Sequence, residues 1–248
     1  MPTGMIVSAA TMYFGTAGLL AAAAVIFGLL ALRESGTARR MVALGAVPAA
    51  AMAVAYVFMG MEWLTVTTGG REQSVVRHVG YSVVLVASSA IVREILSLSR
   101  RRFLVMTGIL LLTPWFALAS WLPDGGPIES VLTLATVGAY LGGAYFLIGP
   151  ITRQAKTVGG QRRLLYVKLR NLFVLCWGAL ILQSAISEQS LGLTNLFVGQ
   201  LGASYTDLVF TVGIAGLVVS GTQIYEATTS VETQASAPAT APAAGGDE

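Results

Sequence analysis

Apolar residues run along this chain in long blocks, with polar residues gathered between them. Seven blocks stand out, at roughly 10–32, 41–64, 76–92, 103–122, 129–150, 169–187 and 196–221. A helix needs about 20 residues to cross the hydrocarbon of a bilayer, and the third and sixth blocks fall a little short of that. The turn signals Gly69-Gly70, Pro123-Asp124-Gly125-Gly126-Pro127 and Gly159-Gly160 lie between blocks, and the connections are short. The pattern predicts an all-α membrane protein, a seven-transmembrane-helix up-and-down bundle over residues 1–225. The first block has no basic region before it and no clear small-residue cleavage site after it. It is also too long for the apolar core of a signal peptide, so it reads as a retained first span. Pro48, Pro114 and Pro150 fall inside blocks or at their ends, where each removes a backbone donor and can kink its helix. Gly142-Gly143 in the fifth block allows close helix approach.

Composition supports this reading. The chain is 55% hydrophobic and 11% charged, with a mean hydropathy of +0.73, which excludes an ordinary soluble domain. Charge then gives orientation. Thirteen of the fifteen basic residues fall after the first, third and fifth blocks, and only Arg71 and Arg77 lie toward the other side. The positive-inside rule puts the basic side in the cytoplasm, with the N-terminus outside and the C-terminus inside. The basic pI reflects that asymmetry rather than nucleic-acid binding. A single cysteine, Cys176, and a single histidine, His78, argue against an internal disulfide and against a zinc or haem site. There is no nucleotide-binding glycine loop, HExxH or nucleophile elbow, so no enzyme activity is expected. From about Ser230 the chain is Ala, Pro, Thr, Ser and Gly, and residues 226–248 are expected to form a disordered cytoplasmic tail.

The candidate chemistry sits on polar residues inside the blocks. Asp207 lies about 11 residues into the last one, roughly 16 Å deep at ~1.5 Å per residue. An ionisable group at that depth is a functional candidate by default. Arg77 lies near the outer end of the third block. Tyr205 and Asp207 are two positions apart, about 200° around a helix. If Asp207 points inward, Tyr205 points to lipid or to a helical partner. Glu62 is expected to reach the interface or to pair with Arg71 or Arg77. His78 reads as an interfacial polar residue. Gln183, Ser184 and Gln200 are candidates for interhelical hydrogen bonds, each worth about 0.6 kcal/mol. Trp63 and Trp121 fit an aromatic belt at the outer interface.

Several strings resemble the microbial rhodopsins, most closely the haloarchaeal sensory rhodopsins of the second type. They are AVAYVFM (Ala53–Met59), YFLIGPIT (Tyr145–Thr152), LYVKLRN (Leu165–Asn171) followed by Trp177, and Tyr205-Thr206-Asp207-Leu208-Val209 with VGIAG after it. They touch five of the seven blocks, in family order if Arg77 is included. The resemblance implies a seven-helix opsin fold. It also implies a retinal-binding lysine four residues after Asp207, where this chain has Thr211. A hydroxyl cannot form an imine with an aldehyde.

Other departures from the family agree with that loss. The family's Arg-aromatic-x-Asp-Trp reads Arg77-His78-Val79-Gly80-Tyr81 here, so Gly80 stands at the Schiff-base counterion position and Tyr81 at the tryptophan. In the sixth helix Trp177 remains, while Leu180, Ile181 and Ser184 replace the tyrosine, proline and second tryptophan. Phe210 replaces the threonine before the lysine. An unpaired buried charge is costly, so lysine and counterion should disappear together. The resemblance marks Thr211 and Gly80 as vacated positions, and Asp207, Arg77, Tyr81, Trp177 and Trp115 as remnants of the pocket, and it implies that Arg77 and Asp207 meet as an ion pair. Tyr205 matches the tyrosine that contacts the transducer in sensory rhodopsin.

The expected function is a non-photochemical sensory, signalling or interaction subunit without a covalent cofactor. Its partners would be the lipid bilayer and a transducer-like helical protein or a second copy of the chain. An alternative is a receptor or carrier of a non-covalently bound retinoid or carotenoid. An ion transporter or channel is weaker, because the helix-three relay positions are Gly80 and Ile91.

Overall fold

The computed structural model describes residues 8–68, 71–123 and 125–236, with Arg71 and residues 223–236 as backbone only. The spans are α1 (Ala9–Arg33), α2 (Gly36–Gly60), α3 (Val75–Leu96), α4 (Arg100–Ser120), α5 (Pro127–Phe146), α7 (Gly160–Ile186) and α8 (Leu196–Ser236). A π turn (Leu147–Ile151) and a short α6 (Thr152–Ala155) continue α5, so the fifth span runs over Pro127–Ala155. Among the described residues, seven helices are long and apolar enough to cross a membrane. Neighbouring spans pack in chain order, and the ring closes where α8 meets α1 and α2. The core lies among α2, α3, α7 and α8, with Met52, Tyr56, Leu85, Ile91, Tyr166 and Phe210 fully buried.

Close helix approach replaces the hydrophobic drive that lipid cannot supply. At Gly45 of α2, an added Cβ would lie 3.4 Å from the Cα of Ala215 in α8. At Gly143 it would lie 2.9 Å from Leu110 Cδ2, whereas Gly142 faces open space. Only one member of the Gly142-Gly143 pair therefore serves helix packing.

The blocks locate all seven spans but not all their ends. The sixth block was expected to begin near 169, yet α7 starts at Gly160. Its polar first turns stay helical because they are tied to the rest of the bundle. Arg162 donates from Nε to the carbonyl of Ile95 at 2.7 Å, and from Nη2 to the Glu94 carbonyl at 3.3 Å and Ser97 Oγ at 3.1 Å. These acceptors include the unsatisfied carbonyls at the C-terminus of α3. The third block was expected to end at 92, but α3 continues through Arg93 and Glu94 to a left-handed residue, Ser97 (φ 50°). Charged residues mask that last helical turn from a hydropathy reading.

The connection after α2 is also more ordered than a turn. Strands β1 (Thr65–Thr68) and β2 (Arg71–Ser74) pair antiparallel, with Val66 opposite Gln73. The β-branched run TVTT favours extension, but four residues are too few for a periodicity to stand out. The Gly69-Gly70 turn itself and Asp124 lie outside the described residues. We call the end carrying β1–β2 the hairpin end and the opposite one the basic end.

Pro48 and Pro114 sit inside continuous helices, whereas Pro150 lies in the π turn. Pro150 cannot donate, and the helix widens locally. Within the π turn the carbonyl of Leu147 accepts from Tyr166 Oη at 2.5 Å and from Thr152 Oγ1 at 2.8 Å. The last helix runs through Ser236, past the expected domain boundary at 225. Residues 237–248 of the expected tail lie outside the described residues.

Candidate functional site

Asp207 is the centre of the polar interior. It is 1% exposed, and three side chains from two other helices donate to it. Tyr56 Oη of α2 reaches Oδ2 at 2.6 Å, and Arg77 Nη2 of α3 reaches the same oxygen at 2.8 Å. Tyr81 Oη donates to Oδ1 at 2.9 Å and lies 3.2 Å from Oδ2. Arg77 and Tyr81 are four apart on α3 and so share a face, and the guanidinium carbon lies 5.4 Å from the Tyr81 ring centre. The expected Arg77–Asp207 pair is therefore present, but it is part of a four-residue anchor joining α2, α3 and α8. Tyr56 was not anticipated as a member. The available signal was a phenol within an apolar run, which needs an acceptor when buried.

Thr211 is buried one turn below Asp207, and its hydroxyl donates to the Asp207 carbonyl at 2.8 Å. This is a local back-bond within α8. The chain has two lysines, Lys156 and Lys168. Both are exposed and both lie toward the basic end. No amine therefore lies in the described interior, and the residues present do not fit a covalently held retinal.

Gly80, the position that the resemblance matches to the counterion, packs closely against α2. A Cβ built there would lie 2.9 Å from Met52 Sδ and 3.1 Å from Ala55 Cβ. The space beside Gly80 is filled by Met52 and Ala55 of α2. A glycine gives no sequence signal of what faces it.

The tryptophans separate. Trp177 is buried and continues an aromatic row. Its ring lies 5.3 Å from Tyr81 and 6.1 Å from Phe173, which in turn meets Phe210 at 5.5 Å. Two small cavities beside this row measure about 10 and 20 Å³, and Thr211 lines neither. Trp115 does not belong to the interior, as it is 44% exposed and donates to Ser82 Oγ at 3.1 Å. Its helical position turns it away from the aromatic row, which hydropathy alone does not reveal. Trp63 is exposed and stacks on Phe58 at 5.2 Å.

Tyr205 points away from Asp207, as the helical spacing requires, and is 70% exposed. His78 is buried, with Nδ1 2.9 Å from the Ser74 carbonyl. Gln183 Nε2 donates to Thr206 Oγ1 at 2.9 Å, an interhelical bond between α7 and α8.

At the hairpin end a cleft of about 850 Å³ descends into the bundle as far as Arg77, Tyr81 and Trp177. Glu62, Glu72 and Glu129 also line it. The sequence did not reveal this cleft, because its walls come from elements far apart in the chain.

No family model matches the chain, and no curated protein matches it. Solved structures do. The thermophilic rhodopsin from Rubrobacter xylanophilus superposes with a TM-score of 0.81 at 17% identity, covering 87% of this chain and 96% of that one. A cyanorhodopsin from the cyanobacterium Calothrix sp. gives 0.78 at 16% identity, with 86% and 94% covered. The light-driven proton pump rhodopsin from Coccomyxa subellipsoidea gives 0.74 at 18% identity, with 85% and 95% covered. The chain is a multi-pass membrane protein with the fold of the microbial rhodopsins.

Proposed function

We propose that this protein is a rhodopsin-fold membrane subunit that works without photochemistry, in sensing, signalling or interaction with another membrane protein. The observation that carries this reading is the absence of an amine from the described interior. The chain's two lysines are both exposed, and Thr211 stands one turn beyond Asp207. An interior without an amine cannot hold an aldehyde as an imine. The Asp207 anchor supports the same reading, because its carboxylate is occupied by Tyr56, Arg77 and Tyr81 and serves to join helices.

The positive-inside rule and the charge asymmetry support an orientation with the basic end in the cytoplasm, the N-terminus outside and the C-terminus inside. Tyr205 marks the partner-facing surface of α8. A tyrosine held away from the interface requires an acceptor for its hydroxyl, which a helical partner or a second copy of the chain supplies and lipid tails do not.

A second reading, a carrier of a non-covalently held retinoid or carotenoid, draws support from the cleft that reaches Tyr81 and Trp177. One absorption experiment separates the two. All-trans-retinal is added to the purified protein, which is then washed in detergent and scanned. The signalling reading expects the spectrum of free retinal, removed by washing. A retained but unshifted band would favour the carrier. A retained, strongly red-shifted band would overturn the non-photochemical reading altogether.

A further inference from the structure

We propose that a groove at the basic end, between α4 and the end of the fifth span, holds the phosphate headgroup of an anionic membrane lipid. The inference goes beyond the reading above, since it concerns neither the position of Thr211 nor the surface around Tyr205.

Charge comes first. The groove measures about 570 Å³ and is lined by Arg101 and Arg102 of α4, by Ser97 and Ser99 just before that helix, and by Gln154 of α6. No acidic side chain belongs to the lining. Arg101 is exposed and makes no hydrogen bond or ion pair among the described residues. Arg102 Nη1 donates to Gln154 Oε1, a neutral amide that leaves the guanidinium charge uncompensated. Glu94, near the end of α3, is already paired with Arg40 at 3.4 Å.

The hydroxyls agree. Ser97 Oγ accepts from Arg162 Nη2 at 3.1 Å, and Ser99 Oγ accepts from the Arg102 backbone N–H at 3.4 Å. Each oxygen is thereby used as an acceptor, and each hydroxyl proton remains to be given. Two guanidiniums and two hydroxyl protons around one groove call for an anion with several acceptor oxygens. Phosphate supplies them, and its geometry suits the guanidinium fork.

Depth selects the source of the phosphate. The groove sits where three spans end: α3 stops at Leu96, α4 starts at Arg100 and the fifth span stops at Ala155. Its polar lining is at that level and its apolar lining, Val105 and Phe146, is deeper. Val105 lies one turn further into α4 than Arg101, on the same face, about 6 Å down at ~1.5 Å per residue. Phe146 lies about 12 Å down the fifth span from Gln154 by the same measure. Cations at the surface with hydrocarbon below match a phospholipid, whose headgroup and first acyl carbons span that interval. A soluble phosphate or an acidic protein segment would use the cations and leave Val105 and Phe146 bare. Basic clusters at the ends of spans attract anionic lipid for the same electrostatic reason.

Native mass spectrometry of the full-length protein in detergent tests this. Phosphatidylglycerol should be retained as one tightly held copy, and phosphatidylcholine should be lost at the same collision energy. Glycerol 3-phosphate at equal concentration should not displace the bound lipid. Arg101→Gln with Arg102→Gln should weaken phosphatidylglycerol by about tenfold or more. Arg101→Gln alone leaves the Arg102–Gln154 bond in place and should cost about fivefold, which keeps the test valid if the double change disturbs the α4–α5 seam. Arg39→Gln with Arg163→Gln removes the same charge from exposed positions at the same end, outside the groove, and should change binding by about twofold or less. Equal retention of the two lipids, displacement by glycerol 3-phosphate, or equal weakening by the two double variants would overturn the proposal and leave a diffuse basic surface.

Discussion

Asp207 shows how one buried charge is accommodated, and how far each part of that arrangement could be read beforehand. A carboxylate at membrane depth demands compensation, and resemblance pointed to Arg77. The spacing of Tyr205 and Asp207 was enough to place one outside and one inside. What no local pattern could supply was the cross-helix part: Tyr56 from 151 positions away, and Met52 pressed against Gly80. Both depend on how α2 turns toward its neighbours. Removing the cation from the anchor should be costly. Arg77→Ala is expected to lower stability by about 3 kcal/mol or less. The value falls at the low end because Arg77 is 20% exposed and lines the cleft. Arg77→Met with Asp207→Leu should recover much of that loss in a thermal unfolding assay. Melting of Arg77→Ala and of Asp207→Leu alone like the wild type would remove the anchor from the account. The packing at Gly80 gives an independent test. Gly80→Ala should destabilise by about 1–3 kcal/mol through overpacking. Adding Met52→Ala should relieve part of it, because the two changes share one space.

Among the helices and their connections, the spans were legible and the joints were not. Apolar blocks report where a helix lies in lipid, but say nothing of turns that continue outside it. That is why α7 begins nine positions before its block and α3 ends four after its own. The hairpin was hidden by its brevity. The π turn depends on Pro150, which the sequence displays, and on Tyr166 and Arg170, whose approach it does not. Arg170 Nη1 reaches Thr152 Oγ1 at 3.0 Å, and Thr152 in turn donates to Leu147. Two changes probe these joints. Arg162→Ala removes three contacts to the C-terminal end of α3. It should speed amide exchange around Ser97–Ser99, measured by hydrogen–deuterium exchange. Tyr166→Phe deletes the donor to the Leu147 carbonyl and should cost about 1 kcal/mol, with faster exchange confined to Leu147–Ala155.

The whole molecule was the most legible level. Seven blocks, short connections and charge gathered at alternate joints determine an up-and-down bundle, and the rhodopsin fold follows from comparison with structures that share under a fifth of its residues. The same fold leaves function open, because fold is shared by proteins with different sites. What distinguishes this chain is chemical: an aspartate taken up by helix packing, a threonine bonded to its own backbone and no amine in the described interior. Intact mass measured after incubation with all-trans-retinal and borohydride reduction tests this most directly. The account predicts an unchanged mass, with at most trace labelling of the exposed Lys156 and Lys168. One retinyl group per chain, fixed stoichiometrically in the folded protein, would contradict it.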